Sequence, residues 1–501
     1  MRIHVLSACL VAVSLLPRVV HAGQVLDYDH VREMARSRAQ APYRDDRPPL
    51  PRKLRDLDYD DLRAIRFDPR EALWRMERLP FQAQFFHPGG IQSNRVTVNW
   101  FEGEVIETVP FTKSLFDYSK VDIGRSVPDD IGFAGFRLHY PLNRPDYLDE
   151  VVAFQGASYF RALGAGQRYG LSARGVAVNV ATEAPEEFPR FTEFWLEKPD
   201  RDATRIRLFA LLDSPSMVGA FSFLIIPDRT TVMEIEATLF MRTNVSMLGL
   251  APLTSMFWFG ENSWLQRQDF RPEVHDSDGL LVHTGADEWL WRPLENEARL
   301  RFASFVDNNP RGFGLFQRDR RFSSYEDLEA DYHLRPSLWV EPVAPFGEGE
   351  IRLIEIPSET EYNDNVVACW VPRRSPAAGD EINLHYRLHW LMDSGAHPPL
   401  ARAIATRQAA IPYLPGARKF VVDFAGTHDL ENASEDALAA DISAANAEVL
   451  GQTLQRNPHA RSWRAVFDVK PVNPELPIEL RCFLKTDQKP LTETWTYLWL
   501  P

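Results

Sequence analysis

"RIRLFALLDSPSMVGAFSFLIIPDRTTVMEIEATLFM", residues 205–241, carries three runs rich in β-branched and aromatic residues: "RIRLFAL", "FSFLII" and "VMEIEATLFM". Asp, Ser and Pro stand between the first two, and Pro-Asp-Arg follows the second. Short apolar runs bounded by such turn-forming residues read as strands. Outward from this stretch the pattern recurs from about residue 81, in "RVTVNWF" (95–101), "GEVIETV" (103–109), "VAVNVAT" (176–182) and "EINLHYRLHWL" (381–391). The chain is therefore expected to be mainly β.

Residues 23–80 read instead as short helices. "DYDHVREMARSRAQA" (27–41) begins with acids and ends with arginines, in keeping with the helix dipole. "LDYDDLRAIRF" (57–67) and "DPREALWRM" (68–76) each offer a turn or more, the second with Pro69 near its start. One further helix is expected at "SSYEDLEADY" (323–332), with Ser323 or Ser324 as its cap.

"MDSGAHPP" (392–399) has the composition of a linker. The expected organisation is a large domain over 23–392, a linker over 393–401 and a small domain over 402–501. Strands such as "KFVVDFAG" (419–426), "SWRAVFDVKP" (462–471) and "ELRCFLKTD" (479–487) suit an immunoglobulin-like sandwich there. "ASEDALAADISAANAEVLGQTLQ" (433–455) is helical by alanine propensity, but its neighbours are strands. Two strands are expected in it.

The chain opens "MRIHVLSACLVAVSLLPRVVHA". Arg2, an apolar stretch over 5–16 and Val20-His21-Ala22 have the order of a cleavable Sec-type signal peptide over 1–22. The apolar stretch is too short to span a bilayer, which takes about 20 residues. Loss of Arg2 and Arg18 with this leader takes the formal charge from −14 to −16. So acidic a surface repels phosphate backbones and argues against nucleic acid as a partner. Cys9 would leave too, and Cys369 and Cys482 are then expected as buried thiols, not a disulfide framework. Neither CxxC nor HExxH occurs, so no structural zinc site is expected. Aromatic residues make up 12 % of the chain, which fits a core and also fits sugar binding in an exported acidic protein.

"PEVHDSDGLLVH" (272–283) poses the functional question. Asp276 and Asp278 before an apolar run could form a turn, a calcium loop or half of a catalytic pair. The calcium reading is weak, because Val274 and Gly285 would stand where ligands are needed. His275 reads as a hydrogen-bonded structural residue. Asp278, two residues on, is the nearest competitor of Asp276 for the same role. "YNDN" (362–365) has the composition of a turn, and Tyr332 could be a core aromatic. These residues alone leave the choice open.

Several long runs resemble one family. They are "GASYFRALGAGQRYGLSARG" (156–175), "EEFPRFTEFWLEKP" (186–199), "LLDSPSMVGAFSF" (211–223), "APLTSMFWFG" (251–260), "RPEVHDSDGL" (271–280), "NPRGFGLFQRDR" (309–320), "YHLRPSLWVEP" (332–342) and "ETEYNDNVVACW" (359–370). In this order they resemble the periplasmic glucan biosynthesis proteins OpgG/OpgD (MdoG/MdoD). The Sec-type leader makes the chain more like the OpgG branch. The resemblance implies a large N-terminal β-sandwich with a long cleft, joined to the immunoglobulin-like domain. It implies action on the linear β-1,2-glucan backbone of osmoregulated periplasmic glucans, by inverting cleavage. By matching position, Asp364 is the general acid and Asp276 the general base, with Glu361 and Tyr332 contacting sugar. A transglycosylase on the same two acids and a non-catalytic glucan-binding scaffold are the alternatives. The partners expected are β-1,2-glucan, a functional link to a membrane glucan synthase, and a second copy in a homodimer. No cofactor and no metal are expected. The loop "TRQAAIPYLPGA" (406–417) is short beside the family pattern.

Inverting hydrolysis needs one protonated carboxyl and one ionised carboxylate, ~6.5–9.5 Å apart. The apolar Val366, Val367, Ala368 and Trp370 after Asp364, with Glu361 before it, predict a carboxyl whose pKa is raised. Asp276 lies among His275, Ser277 and Asp278, a more polar setting.

Overall fold

The computed structural model describes residues 25–501, apart from 46, 124–125, 264–267, 393–397 and 488. The leader over 1–22 and residues 393–397 of the expected linker lie outside the described residues. Among the described residues no helix is long and apolar enough to cross a membrane.

The protein is mainly β. The three runs of residues 205–241 form the strands Ile206–Asp213, Met217–Ile226 and Thr231–Met241, joined in antiparallel register. They stand in the middle of a 14-stranded sheet. A 10-stranded sheet, which includes Gly135–Arg144, Tyr147–Gln155, Tyr159–Ala162, Leu248–Ser255 and Val366–Pro372, packs against it. Alternation sends one side of each strand inward. Thus Phe154 and Phe160 of the smaller sheet meet Phe223 of the larger edge-on, with ring centroids 5.2 and 5.4 Å apart. Burying such a ring contributes roughly 1.5–3 kcal/mol.

The N-terminal helix Tyr28–Ala39 forms where the charge pattern predicts it. Asp27 accepts the His30 N–H at 3.0 Å as its cap, and Val31 and Ala35 turn inward. Pro69 opens a single 3-10 turn, Pro69–Glu71.

Two local expectations fail for backbone reasons. "VAVNVAT" yields only the two-residue strand Ala177–Val178, because Asn179 and Ala181 take left-handed φ of 55° and 51°. The Asn179 side chain then accepts from the Ser246 hydroxyl and the Met247 N–H. The helix expected at "SSYEDLEADY" shrinks to Phe322–Tyr325, and neither serine caps it. Glu326 and Asp331 have positive φ, and Asp327 folds the chain between them by accepting the Glu329 and Ala330 N–H groups.

In the C-terminal region, Arg402–Ala410, Arg418–Ala425, Ala447–Asn457 and Ser462–Pro471 make a four-stranded sheet. It faces Ala439–Ala445, Ile478–Lys485 and Thr494–Trp499 across a core holding Phe420, Phe467 and Trp495. The alanine-rich segment thus forms two strands, as its neighbours require. Thr494–Trp499 pairs in parallel with Trp289–Pro293, so these three strands also extend the 14-stranded sheet. The short loop after Arg402–Ala410 is a hairpin connection, with Leu414 and Ala417 closing successive turns. Cys369 and Cys482 are buried free thiols.

Candidate active site

Asp364 stands two residues before the start of Val366–Pro372 of the 10-stranded sheet. Asp276 follows the two-residue strand Val274–His275 and precedes Gly279–His283 of the 14-stranded sheet. The two acids therefore come from different sheets. One dipeptide joins them. Met256 C=O accepts the Asp276 N–H at 2.8 Å. Phe257 gives its N–H to the Asn365 side chain at 2.9 Å and accepts from the Asn365 Nδ2 at 3.0 Å. Asn365 also donates to Ile356 C=O at 3.1 Å, so a buried amide sets the backbone next to Asp364. That explains the second Asn of "NDN": it serves as a brace and the acid before it is left free to project.

The surroundings of the two carboxyl groups differ. Burial raises the pKa of Asp364; Arg161, Arg174 and Arg335 oppose this, and the negative charge of Asp276 adds to it. The side chain keeps 34 % of its surface exposed, so it is crowded by protein yet open to solvent. Its nearest cation is Arg161 on the strand Tyr159–Ala162, with Nη2 3.7 Å from Oδ2. Arg161 is itself held by the Ser172 hydroxyl at 2.6 Å. Asp276 is buried, and its carboxylate pairs with the Arg335 guanidinium. Arg335 also donates to Ala330 C=O and lies over the Tyr332 ring, 4.1 Å from its centroid. Gly170 makes room for it, since a Cβ there would come within 2.9 Å of the Arg335 Cβ.

Glu361 and Tyr332 meet. The Tyr332 hydroxyl donates to Glu361 Oε2 at 2.5 Å, and burial together with that carboxylate keeps the phenol well above its ordinary pKa. Arg271 grips Glu361 with two nitrogens, at 2.7 and 3.1 Å, and also holds Asp269 and Asp327. Three loops are thus fastened to one guanidinium. Asp276, Arg335, Tyr332, Glu361 and Arg271 form a continuous chain of contacts along one wall.

Asp278 points elsewhere, although residues two apart share a face of a regular strand, because 276–278 lie between strands and take an irregular path. It accepts the Arg318 and Asp319 N–H groups. His275 is fully buried between Gln317 and Glu273, each at 2.8 Å, and stacks on Phe257. Burial would push its imidazole down, but Asp278, Glu273 and Asp319 more than offset this and raise its pKa to about 10. Two sets, Glu273–His275–Asp278 and Glu261–Glu273–Asp319, bring potential ligand atoms within 4.8 Å of one another. Internal partners hold both: Glu261 accepts the Thr406 N–H at 2.9 Å, and the bonds above occupy the first set. They form a buried bracing network beneath Asp276.

A family profile described as "Periplasmic glucan biosynthesis protein, MdoG" matches residues 26–499. The chain belongs to this family. A glucans biosynthesis protein G from Ralstonia nicotianae is 44 % identical over 492 residues, covering 96 % of this chain and 97 % of that protein. Its namesake in Rhodopseudomonas palustris is 44 % identical over 500 residues, covering 98 % of each. A third, in Pseudomonas aeruginosa, is 40 % identical over 481 residues, covering 94 % of this chain and 92 % of that protein. All three carry the letter of the branch expected from the sequence.

Within this family framework, sequence reasoning named four residues that the structure brings to one site: Asp364, Asp276, Glu361 and Tyr332. It missed Arg335, Arg161, Arg271 and Asn365, which hold them. Each lies inside a run that carried the family resemblance, which was the signal available. An arginine in a β-rich sequence does not declare its partner.

Proposed function

We propose that this periplasmic-family protein cleaves linear β-1,2-glucan with inversion, Asp364 acting as general acid and Asp276 as general base. One observation carries the reading: two carboxyl groups from different sheets share a site, one with its pKa raised and the other fixed by a permanent cation. Asp364, protonated, would give its proton to the glycosidic oxygen as the bond to the anomeric carbon breaks. Asp276 would take a proton from the attacking water on the opposite face of the sugar. Acid and base then exchange protonation states, and solvent restores them. Glu361 would use its remaining acceptor position, the other three being occupied, to orient a sugar hydroxyl, with Tyr332 fixing its direction.

The reading fits a role in setting the length of glucan backbones. Incubation of the mature protein with linear β-1,2-glucan, followed by chromatography and anomer-resolved NMR, tests it. Shorter chains with inverted anomers at the new reducing ends are expected. Cyclic or rearranged products would instead indicate a transglycosylase. Unchanged glucan bound by folded protein would indicate a scaffold.

A further inference from the structure

The outer face of the 10-stranded sheet continues well beyond Asp364. Register pairing places Gln84, Arg137, Ala153, Arg161 and Ser172 in one row across five strands. Arg137 and Arg161 are two strands apart, roughly 10 Å at the usual strand spacing. At the far end of this face lies a pocket of about 970 Å³, whose floor includes Phe86, Arg137 and Gln155. Its walls include Arg63, Arg66 and Arg70 from residues 59–70.

Four arginines line this pocket against two acids, Asp68 and Asp117, in a chain of net charge −14. Asp68 holds Arg70, and Glu150 holds Arg137. Arg63 and Arg66 are exposed, and neither makes an ion pair within 4.0 Å among the described residues, although Arg66 stands opposite Asp117 in the register of the strands Arg66–Phe67 and Phe116–Asp117. His87 also lines the pocket, only 5 % exposed, and neither ring nitrogen has a hydrogen-bond partner among the described residues. Burial pushes its pKa down to about 4, opposed only by the Pro88 backbone, so it adds a polar but uncharged wall. Phe67, Phe86 and Phe116 supply apolar surface.

We propose that this pocket binds a negatively charged group, a phosphate ester or a carboxylate, carried on a glucan chain lying along the sheet face. The inference rests on the glucan reading of the neighbouring acid pair, and extends it to selection by charge. The carbohydrate runs over Gln155, Gln84 and the aromatic rings, while Arg63 and Arg66 supply donors suited to an anion's oxygens.

The test compares two linear β-1,2-glucan oligosaccharides of equal length, one unsubstituted and one bearing a phosphate monoester. Their affinities are measured by calorimetry at low salt, on the full mature chain with Asp364→Asn to prevent turnover. The phosphorylated sugar should bind roughly five- to tenfold more tightly. That advantage should vanish in Arg63→Ala/Arg66→Ala, with affinity for the unsubstituted sugar unchanged. Both arginines are exposed, and circular dichroism checks that the double variant is folded. Equal affinities, or an advantage that survives the double substitution, overturn the proposal. Inorganic phosphate that binds the pocket as tightly as the phosphorylated sugar would overturn its carbohydrate part. A cleavage-competent Asp364→Asn protein would defeat the acid assignment alone, whereas equal affinities would defeat the charge-selective pocket alone.

Discussion

Asp276 and Asp364 are tied to adjacent residues of one strand connection, Asp276 through the Met256 carbonyl and Asp364 through Asn365 on Phe257. Their relative position therefore depends on a two-residue backbone segment, not on long loops. This accounts for a Coulombic effect of Asp276 on Asp364 across two sheets.

Asn365→Ala should loosen that link. It removes three hydrogen bonds and leaves Phe257 and Ile356 backbone groups without their partner. A loss of roughly 2–4 kcal/mol is expected by denaturant unfolding, since buried polar groups left unpaired cost about 1–3 kcal/mol each and relax in part. Glucan cleavage should fall in kcat more than in KM. Unchanged stability would show that the brace is dispensable.

Arg335→Met should leave the buried Asp276 carboxylate without its cation. Removing one partner of such a pair costs about 3–5 kcal/mol. Asp276→Asn in the same chain should recover much of that loss, because no buried charge then remains. A double variant no more stable than Arg335→Met would mean that the arginine acts through Tyr332 packing instead.

Arg161 lowers the pKa of Asp364. Arg161→Gln should therefore raise it further and keep the acid protonated to higher pH. The alkaline limb of the kcat/KM profile should move upward. A limb that moved downward would reverse the assigned sign.

The strands of residues 205–241 were legible because alternation and turn residues agreed along their whole length. The same held for the alanine-rich pair at 439–457, where neighbouring strands outweighed propensity. "VAVNVAT" misled because a period of two cannot reveal left-handed residues at 179 and 181. "SSYEDLEADY" misled because Asp327 bonds its own backbone and Arg271 instead of allowing a helix to propagate. At the site, the family runs pointed to the two candidate acids, while their environments depended on contacts between distant segments. Arg335 and Asp276 are 59 residues apart, and Arg271 and Glu361 are 90 apart. Such pairings exist only once the sheets have formed.

The network beneath Asp276 should make stability fall with rising pH. Burial and the charges of Glu273 and Asp278 raise the pKa of Glu261 to about 8, and His275 is raised to about 10. Both groups hold protons more tightly folded than unfolded. Their stabilisation is complete below the unfolded values of 4.5 and 6.5, and is lost as pH rises through the folded ones. The thermal midpoint should decline from about pH 5 to about pH 9, and Glu261→Gln should flatten the decline below about pH 8. A midpoint that climbs across this range would contradict the linkage.

The most direct test of the paired-aspartate account is the rate of reducing-end release from linear β-1,2-glucan by Asp364→Asn, with folding checked by circular dichroism. The amide cannot donate the proton, so kcat should fall by about 10²-fold or more while glucan binding persists. A folded Asp364→Asn protein cleaving at the wild-type rate would remove Asp364 as the acid.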